Sequence, residues 1–260
     1  MIELIVEQNT TILSVKRILV SQPKPDNDKN PYQALAEKHN LKIDFRPFIH
    51  VEGVDKSEFR TQRVDLAQHT AVIMTSKTAV DHYFRIAEEC RFEVPTTMKF
   101  FCISEAVAYY LQKYVAYRKR KIFHGKQTIQ DLMEAMKKHK KEKYLLPCSD
   151  ILRDIIPETL DKFGIDYTKV VLYKTVASDL SDLEDVYYDM LVFFSPSGIE
   201  SLLKNFPDFK QNDTLIAAFG PTTAKAVVDN NLRLDVHAPQ PQAPSMTMAI
   251  ENYVKDAKKK

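Results

Sequence analysis

Short β-branched or aromatic runs alternate with amphipathic stretches along almost the whole chain, the pattern of an α/β fold. Arg17-Ile18-Leu19-Val20 predicts a first strand, broken by Ser21-Gln22-Pro23-Lys24-Pro25. Pro31 opens a helix to about His39, since a proline in a first turn forfeits no helical hydrogen bond. Ile43 to Val51 predicts one long strand. Four strand–helix pairs follow: Ala71–Met74 with Thr78–Glu89, Phe100–Ile103 with Glu105–Lys113, Lys121–Phe123 with Thr128–Lys138, and Tyr144–Leu146 with Ile151–Phe163. Gly164 supplies a stop for the last helix, and Pro157 marks its early turns or a kink. Val170–Val176 predicts a second long extended segment. The alternation then resumes with strands at Met190–Phe194, Leu215–Phe219 and Leu234–Val236, and helices at Gly198–Lys204, Thr222–Asn230 and Ser245–Lys255.

The chain also repeats itself weakly. Val72-Ile73-Met74-Thr75-Ser76-Lys77-Thr78 parallels Leu191-Val192-Phe193-Phe194-Ser195-Pro196-Ser197. Cys102-Ile103-Ser104-Glu105-Ala106 parallels Ala218-Phe219-Gly220-Pro221-Thr222, and Ile122-Phe123-His124 parallels Asp235-Val236-His237. Two similar α/β halves follow, flavodoxin-like or Rossmann-like with parallel sheets. The long segments Ile43–Val51 and Val170–Val176 could pair as a two-stranded ladder joining them. The middle half would then be an insertion, with residues 1–45 and 177–260 forming one domain and 46–176 the other. A consecutive split near Val170 is the alternative; it leaves unequal halves.

Composition narrows the chemistry. Lys plus Arg number 37 and Asp plus Glu 35, a net charge of +2. That balance argues against nucleic-acid or membrane-surface partners. Only 5 of 260 residues are glycine, against ~7% in ordinary proteins, and they are scattered, so GxGxxG and P-loop cradles are excluded. Three separated cysteines fit a reducing cytoplasm, and no CxxC, HExxH or GxSxG occurs. Met1 to Glu7 is too short and acidic for a signal sequence. The lysine-rich stretch 137–143 and the tail Lys258-Lys259-Lys260 read as solvated helix ends, and His124 and His237 as strand-end fillers.

The strand-to-helix junctions carry the chemistry that remains. The first N–H groups of a helix lack intrahelical partners and bear partial positive charge, so they bind anions. In an open parallel sheet such junctions gather at the carboxyl ends of the strands. The candidates are Ser76-Lys77-Thr78, Ser104, Ser149-Asp150, Ser195-Pro196-Ser197-Gly198 and Gly220-Pro221-Thr222-Thr223. Plain N-capping is the competing explanation at each. Tyr173, within a strand, would ordinarily be a packing residue.

Phe193-Phe194-Ser195-Pro196-Ser197-Gly198 and Ala217-Ala218-Phe219-Gly220-Pro221-Thr222-Thr223-Ala224-Lys225-Ala226 together resemble segments of the uroporphyrinogen-III synthase family. Ala238-Pro239-Gln240-Pro241 is similar to that family's segment before the last helix. Leu146-Pro147-Cys148-Ser149-Asp150-Ile151-Leu152-Arg153 and Val170-Val171-Leu172-Tyr173-Lys174-Thr175-Val176 resemble its middle-domain junction and returning strand. The resemblance runs from about Lys16 to Val254 and leaves residues 1–14 without a counterpart. It implies two α/β domains joined by a two-stranded ladder, a cleft between them, and the N-terminal strand in the C-terminal domain. It also implies a cyclising hydro-lyase of porphyrin and heme biosynthesis. Such an enzyme closes hydroxymethylbilane into uroporphyrinogen III, with inversion of the last ring and loss of water, using no cofactor and no metal. Carried over by position, Tyr173 assists departure of the hydroxyl. Ser76, Thr78, Ser149, Ser195, Ser197, Gly198, Gly220, Thr222 and Thr223 bind the substrate's carboxylates, with the Gly125-Lys126-Gln127-Thr128 turn beside them. Ala106-Val107 stands where many members carry a threonine. Thr78 and Leu215 stand where some carry basic residues, for which Lys77 and Lys225 would compensate. The expected protein is a cytoplasmic monomer acting on a small molecule. A non-catalytic binder of a tetrapyrrole-like anion is the alternative, motivated by Val107.

Overall fold

A computed structural model describes residues 13–25, 30–116, 118–152 and 154–258. In chain order it contains β1 (Arg17–Val20), α1 (Pro31–His39), β2 (Lys42–Phe45), β3 (Ile49–Gly53), α2 (Lys56–Thr61), β4 (Ala71–Met74), α3 (Lys77–Glu89), β5 (Lys99–Cys102) and α4 (Glu105–Leu111). Then come β6 (Ile122–His124), α5 (Ile129–Lys137), β7 (Tyr144–Ser149), α6 (Ile155–Lys162), β8 (Tyr167–Ala177), β9 (Met190–Phe193) and α7 (Pro196–Asn205). The chain closes with β10 (Leu215–Phe219), α8 (Pro221–Asp229), β11 (Val236–Ala238) and α9 (Met246–Ala257).

Two compact units divide it: the chain up to His50 together with Val176 onward, and Val51–Thr175. The first unit holds a sheet ordered β11-β10-β9-β1-β2, and the other sheet is ordered β3-β8-β7-β4-β5-β6. Neighbours are parallel throughout the first sheet and from β8 to β6 in the second. From one edge inward, β11-β10-β9-β1-β2 and β6-β5-β4-β7-β8 are the same arrangement entered at a different strand. The weak sequence repeat accordingly maps β4 on β9, β5 on β10 and β6 on β11.

Each sheet is covered on both faces at its centre, so the central strands β4 and β9 read as continuous apolar runs. In the first unit, Ile18, Val20, Val192, Leu215 and Ala217 pack with Leu35, Met246 and Ile250 on one face. Leu19, Leu191, Phe193 and Ile216 pack with Ile199, Leu202 and Val227 on the other. In the second unit, Val72, Met74 and Phe100 meet Val80, Tyr83 and Leu111, while Ile73, Phe101 and Leu146 meet Leu132, Met136 and Leu160.

Tyr83 is fully buried, with Phe84 edge-on at 5.1 Å. No described residue offers its hydroxyl a partner, and burial raises its pKa. A buried unpaired hydroxyl costs about 1–3 kcal/mol. Tyr83→Phe is therefore expected to raise the thermal midpoint; a lower midpoint in a melting scan would show the hydroxyl to be paired.

Several expectations change, among them β8, which runs over Tyr167–Ala177 and not only Val170–Val176. Ile43–Val51 is two strands in two sheets: Arg46 N–H makes the last bond to Val20, and Pro47 interrupts the run. β3 alone lies beside β8, so it is β3 and not the whole segment that forms the ladder. Helix α6 begins at Ile155 and not at Ile151, because Pro157 is tolerated only in a first turn. The last strand is shifted to Val236–Ala238, and β7 runs on past Pro147 to Ser149. Helix α2 was legible in Asp55-Lys56-Ser57-Glu58 but was not expected; Asp55 caps it by accepting from the N–H of Glu58. Residues 1–12, most of the segment without a family counterpart, lie outside the described residues, as do Arg153 and the tail lysines Lys259 and Lys260. Lysines 137, 138, 140, 141 and 143 are exposed, as expected.

Candidate functional site

In the second unit the chain passes from β4 outward through β5 and β6, then returns to lay β7 on the other side of β4. Such a reversal opens a crevice beyond the carboxyl ends of the two strands. Pro147 widens it. Tyr144 N–H donates toward β8, to Asp166 O. Strand alternation therefore turns the missing N–H of Pro147 toward β4. The β4–β7 ladder pairs only Ala71 with Tyr144 and Val72 with Leu145, while β7 stays paired with β8 up to Ser149.

Ser76 follows β4 and caps α3, its Oγ accepting from Ala79 N–H at 3.0 Å. Tyr173 lies on β8 opposite Ser149. Its hydroxyl is 3.5 Å from Ser76 Oγ, and its ring stacks on His82 at 5.1 Å with 20° between planes. Burial raises the Tyr173 pKa despite the contact with Ser76. The phenol is thus a protonated donor at neutral pH. Ser149 Oγ donates to Asp150 Oδ1 at 2.7 Å, and the same oxygen accepts from Ile151 and Thr175 N–H. Burial pulls the Asp150 pKa up, but these bonds outweigh it and the net shift is downward. This carboxylate holds the turn after β7 against β8.

The first unit repeats the device at β1 and β9. Ser195 caps α7, accepting from Gly198 N–H at 3.3 Å. Ser197 is half-buried, and buried Ser21, at the end of β1, lies against Gly198. Next to them α8 begins without a side-chain cap. Gly220 has φ 87° and ψ 153°, a region essentially closed to other residues, and Pro221 has no N–H. The N–H groups of Thr222 and Thr223 thus head the helix with no capping side chain. Thr222 is exposed, but the Thr223 side chain is buried at 1% exposure, so this residue offers its N–H and not its hydroxyl.

Several expected contributors sit elsewhere. Leu215 opens β10, fully buried and at the amino end of the strand, so a basic residue there could not reach the junctions. Lys225 pairs with Asp229 one turn along α8, at 2.6 Å. Lys77 lies 5.4 Å above the Tyr110 ring, and Thr78 is half-buried beside it. Val107 is buried within the core. In the Gly125–Thr128 turn, Thr128 and Asp131 form a capping box. Donation from Gln127 N–H first, then from the N–H and hydroxyl of Thr128, pulls the Asp131 pKa down to about 2. A carboxyl lowered on folding stabilises above its unfolded value, about 4, and that contribution fades as pH falls through about 2. Carbon-13 titration is expected to place the Asp131 midpoint near 2; a midpoint near 4 would mean the box is not formed.

The profile of the family described as uroporphyrinogen-III synthase HemD matches residues 30–248. The chain belongs to the uroporphyrinogen-III synthase family. Uroporphyrinogen-III synthase of Saccharomyces cerevisiae is 33% identical over 139 residues, 48% of this chain and 50% of that protein. The chain thus matches half the length of this curated relative. Uroporphyrinogen-III synthetase of Helicobacter pylori superposes with a TM-score of 0.58 at 17% identity, covering 93% of this chain and 99% of that one. A mutant synthase of Thermus thermophilus superposes at 0.52, with 16% identity and coverage of 93% and 100%. At such identities these structures speak for the fold, two α/β domains with parallel sheets.

Set within the synthase family, the expected residues fall into two groups. Ser76, Thr78, Ser149 and Tyr173 gather at the carboxyl ends of the second unit's strands. Ser195, Ser197, Gly198, Gly220, Thr222 and Thr223 do so in the first unit. Ser76 and Ser195 also cap their helices, so at these two positions capping and anion binding fall on the same atoms, whereas Ser197 lies in the first turn of α7 and Ser149 precedes α6 by six residues and caps no helix. Sequence reading missed His82, Arg85 and Ser21. Ser21 had a signal, since it ends a strand as Ser76 and Ser195 nearly do; His82 had none.

Proposed function

We propose that this chain is a uroporphyrinogen-III synthase, a lyase that closes hydroxymethylbilane into uroporphyrinogen III with inversion of the last ring and loss of water. The observation that carries this is the Tyr173 hydroxyl beside Ser76 at the β4–β7 crevice, within a chain of this family. The phenol lends its proton to the departing hydroxyl, which leaves as water. The terminal pyrrole attacks the methylene so exposed through its substituted carbon, giving a spiro intermediate. The bond from that carbon to its original methylene then breaks and re-forms at the ring's free α-carbon, which inverts the ring, and that carbon's proton is lost and restores the phenol. Ser76, Thr78 and Ser149 in one unit, and Ser195, Ser197, Gly198, Gly220, Thr222 and Thr223 in the other, bind carboxylates of the substrate. Anions favour the helix starts of α3, α7 and α8 among these, each by about 0.3–1 kcal/mol, while Ser149 contributes from the end of β7. Holding the reacting atoms in place supplies the remaining preference for the rearranged isomer.

The chain acts as a monomer in the cytoplasm, without nucleic-acid or membrane partners. Its charge balance supports this, and no helix among the described residues is long and apolar enough to cross a membrane.

Supplied with hydroxymethylbilane, the protein is expected to yield the type III isomer faster than spontaneous closure yields type I, as resolved by chromatography of the oxidised products. Type I alone at the spontaneous rate would overturn the reading and leave a non-catalytic binder.

A further inference from the structure

Tyr173 is held by more than its own strand. The imidazole of His82, on α3, lies nearly flat against its ring, centroids 5.1 Å apart. Arg85, one turn along α3, donates from Nε to His82 Nδ1 at 3.2 Å. An accepting Nδ1 leaves the ring proton on Nε2, so the imidazole is neutral. Burial, and then the Arg85 charge, lower its pKa in keeping with that state. Arg85 is itself fastened. Its Nη2 donates to the carbonyls of Val54 at 2.7 Å and Leu172 at 3.3 Å, and its Nη1 pairs with Glu89 at 2.6 Å. Leu172 directly precedes Tyr173, so one guanidinium ties His82 to the strand that bears the phenol.

Gly53, at the end of β3, completes the fit. A Cβ there would stand 2.8 Å from Arg85 Nη2 and 2.9 Å from His82 Cε1. Only glycine leaves both side chains where they are.

We propose that His82 is the positioning residue for the Tyr173 hydroxyl, its neutral ring acting as a slab that sets where the O–H points. The proposal rests on the role given to Tyr173 above. A tyrosine ring stacked on one face keeps one orientation; freed of the stack it can swing, and an ångström of displacement at a reacting group can cost about 10²-fold in rate. The stack requires a flat ring and no charge, so phenylalanine should replace histidine here where alanine cannot. The remaining His82 contact, the bond from Arg85, serves to aim the slab.

The test uses the full chain carrying His82→Ala, His82→Phe or Gly53→Ala, beside the unaltered protein and Tyr173→Phe. His82→Ala is expected to lower kcat about 10- to 100-fold while KM for hydroxymethylbilane moves less than about 2-fold. His82→Phe should recover kcat to within about 3-fold of the unaltered protein. Gly53→Ala should lower kcat although both rings remain. Adding His82→Ala to Tyr173→Phe should cost nothing more, because both act through one hydroxyl. Unchanged kcat in His82→Ala, or no recovery with phenylalanine, overturns the proposal.

A second readout is independent of turnover. With Cζ-labelled tyrosine, His82→Ala and Gly53→Ala should shift or broaden the Tyr173 resonance and His82→Phe should largely preserve its line. An unmoved Tyr173 line in both His82→Ala and Gly53→Ala overturns the proposal even if the protein makes no type III isomer. Absence of that isomer from the unaltered protein, or full turnover by Tyr173→Phe, instead fails the reading of the reaction. If His82→Ala does not fold, the Gly53→Ala and His82→Phe pair decides by the same two readouts.

Discussion

Tyr173→Phe is expected to slow formation of the type III isomer about 10²-fold, the lower end of what one proton-donating side chain contributes. The substitution removes a single oxygen. The ring still fills its place between β8 and His82, and the hydrogen bond lost, to Ser76 at 3.5 Å, is long and weak. Thermal stability should therefore stay close to that of the unaltered protein, and the effect should appear in kcat and not in KM, because carboxylates are bound by other groups. The raised pKa sets the sign of the pH dependence. The phenol donates while protonated, so this contribution persists through about pH 10 and is lost only above it. Turnover of Tyr173→Phe at the unaltered rate would remove the tyrosine from the mechanism.

Asp235→Ala is expected to cost about 1–3 kcal/mol of stability, the loss typical when buried donors are left without their acceptor; its partner Arg233 is exposed and keeps water. The Asp235 side chain is fully buried and saturated. Its Oδ2 accepts from Ile216 N–H at 2.8 Å and from Gln211 Nε2 at 3.0 Å, and its Oδ1 from Arg233 Nε at 2.6 Å. Alanine would leave these donors without it at the start of the edge strand β11. The effect reaches the site by a short route. Gly220 N–H donates to Ala238 O at the end of β11, and this bond holds the turn from which α8 presents Thr222 and Thr223. A looser β11 should raise KM alongside the loss of stability. Denaturant unfolding measures the first and substrate titration the second. A midpoint unchanged from the unaltered protein would show that the carboxylate is dispensable.

How far the molecule could be read in advance differs by element. The bounds of β1, α1, β4 and β10 match the expected ones residue for residue, and Ser76, Ser104 and Ser195 each cap the helix expected after them, while Ser245, expected inside the last helix, caps it. These features are local: a buried strand needs apolar residues in succession, and a helix start needs an acceptor within three residues. Local rules were less decisive where proline acted. Pro47 divided one expected strand between two sheets, Pro157 delayed α6, and Pro147 sat harmlessly inside β7 because β4 had already parted from it. The same three prolines were visible in the sequence, but whether each breaks a ladder depends on which neighbour its missing N–H faces.

Sequence alone determined the α/β class, the recurring halves, the family, and the junction residues that face the carboxyl ends of the strands. Tertiary structure alone decided that Thr223 turns inward, that Leu215 lies at the wrong end of its strand, and that His82 and Arg85 clamp Tyr173 beneath Gly53. The physical reason is reach. Apolar period, capping and turn chemistry act over a few residues and leave their mark in the order of the chain. The His82–Tyr173 stack joins positions that meet only after β8 has paired with β7 and α3 has packed on the sheet, and no short-range pattern encodes that meeting.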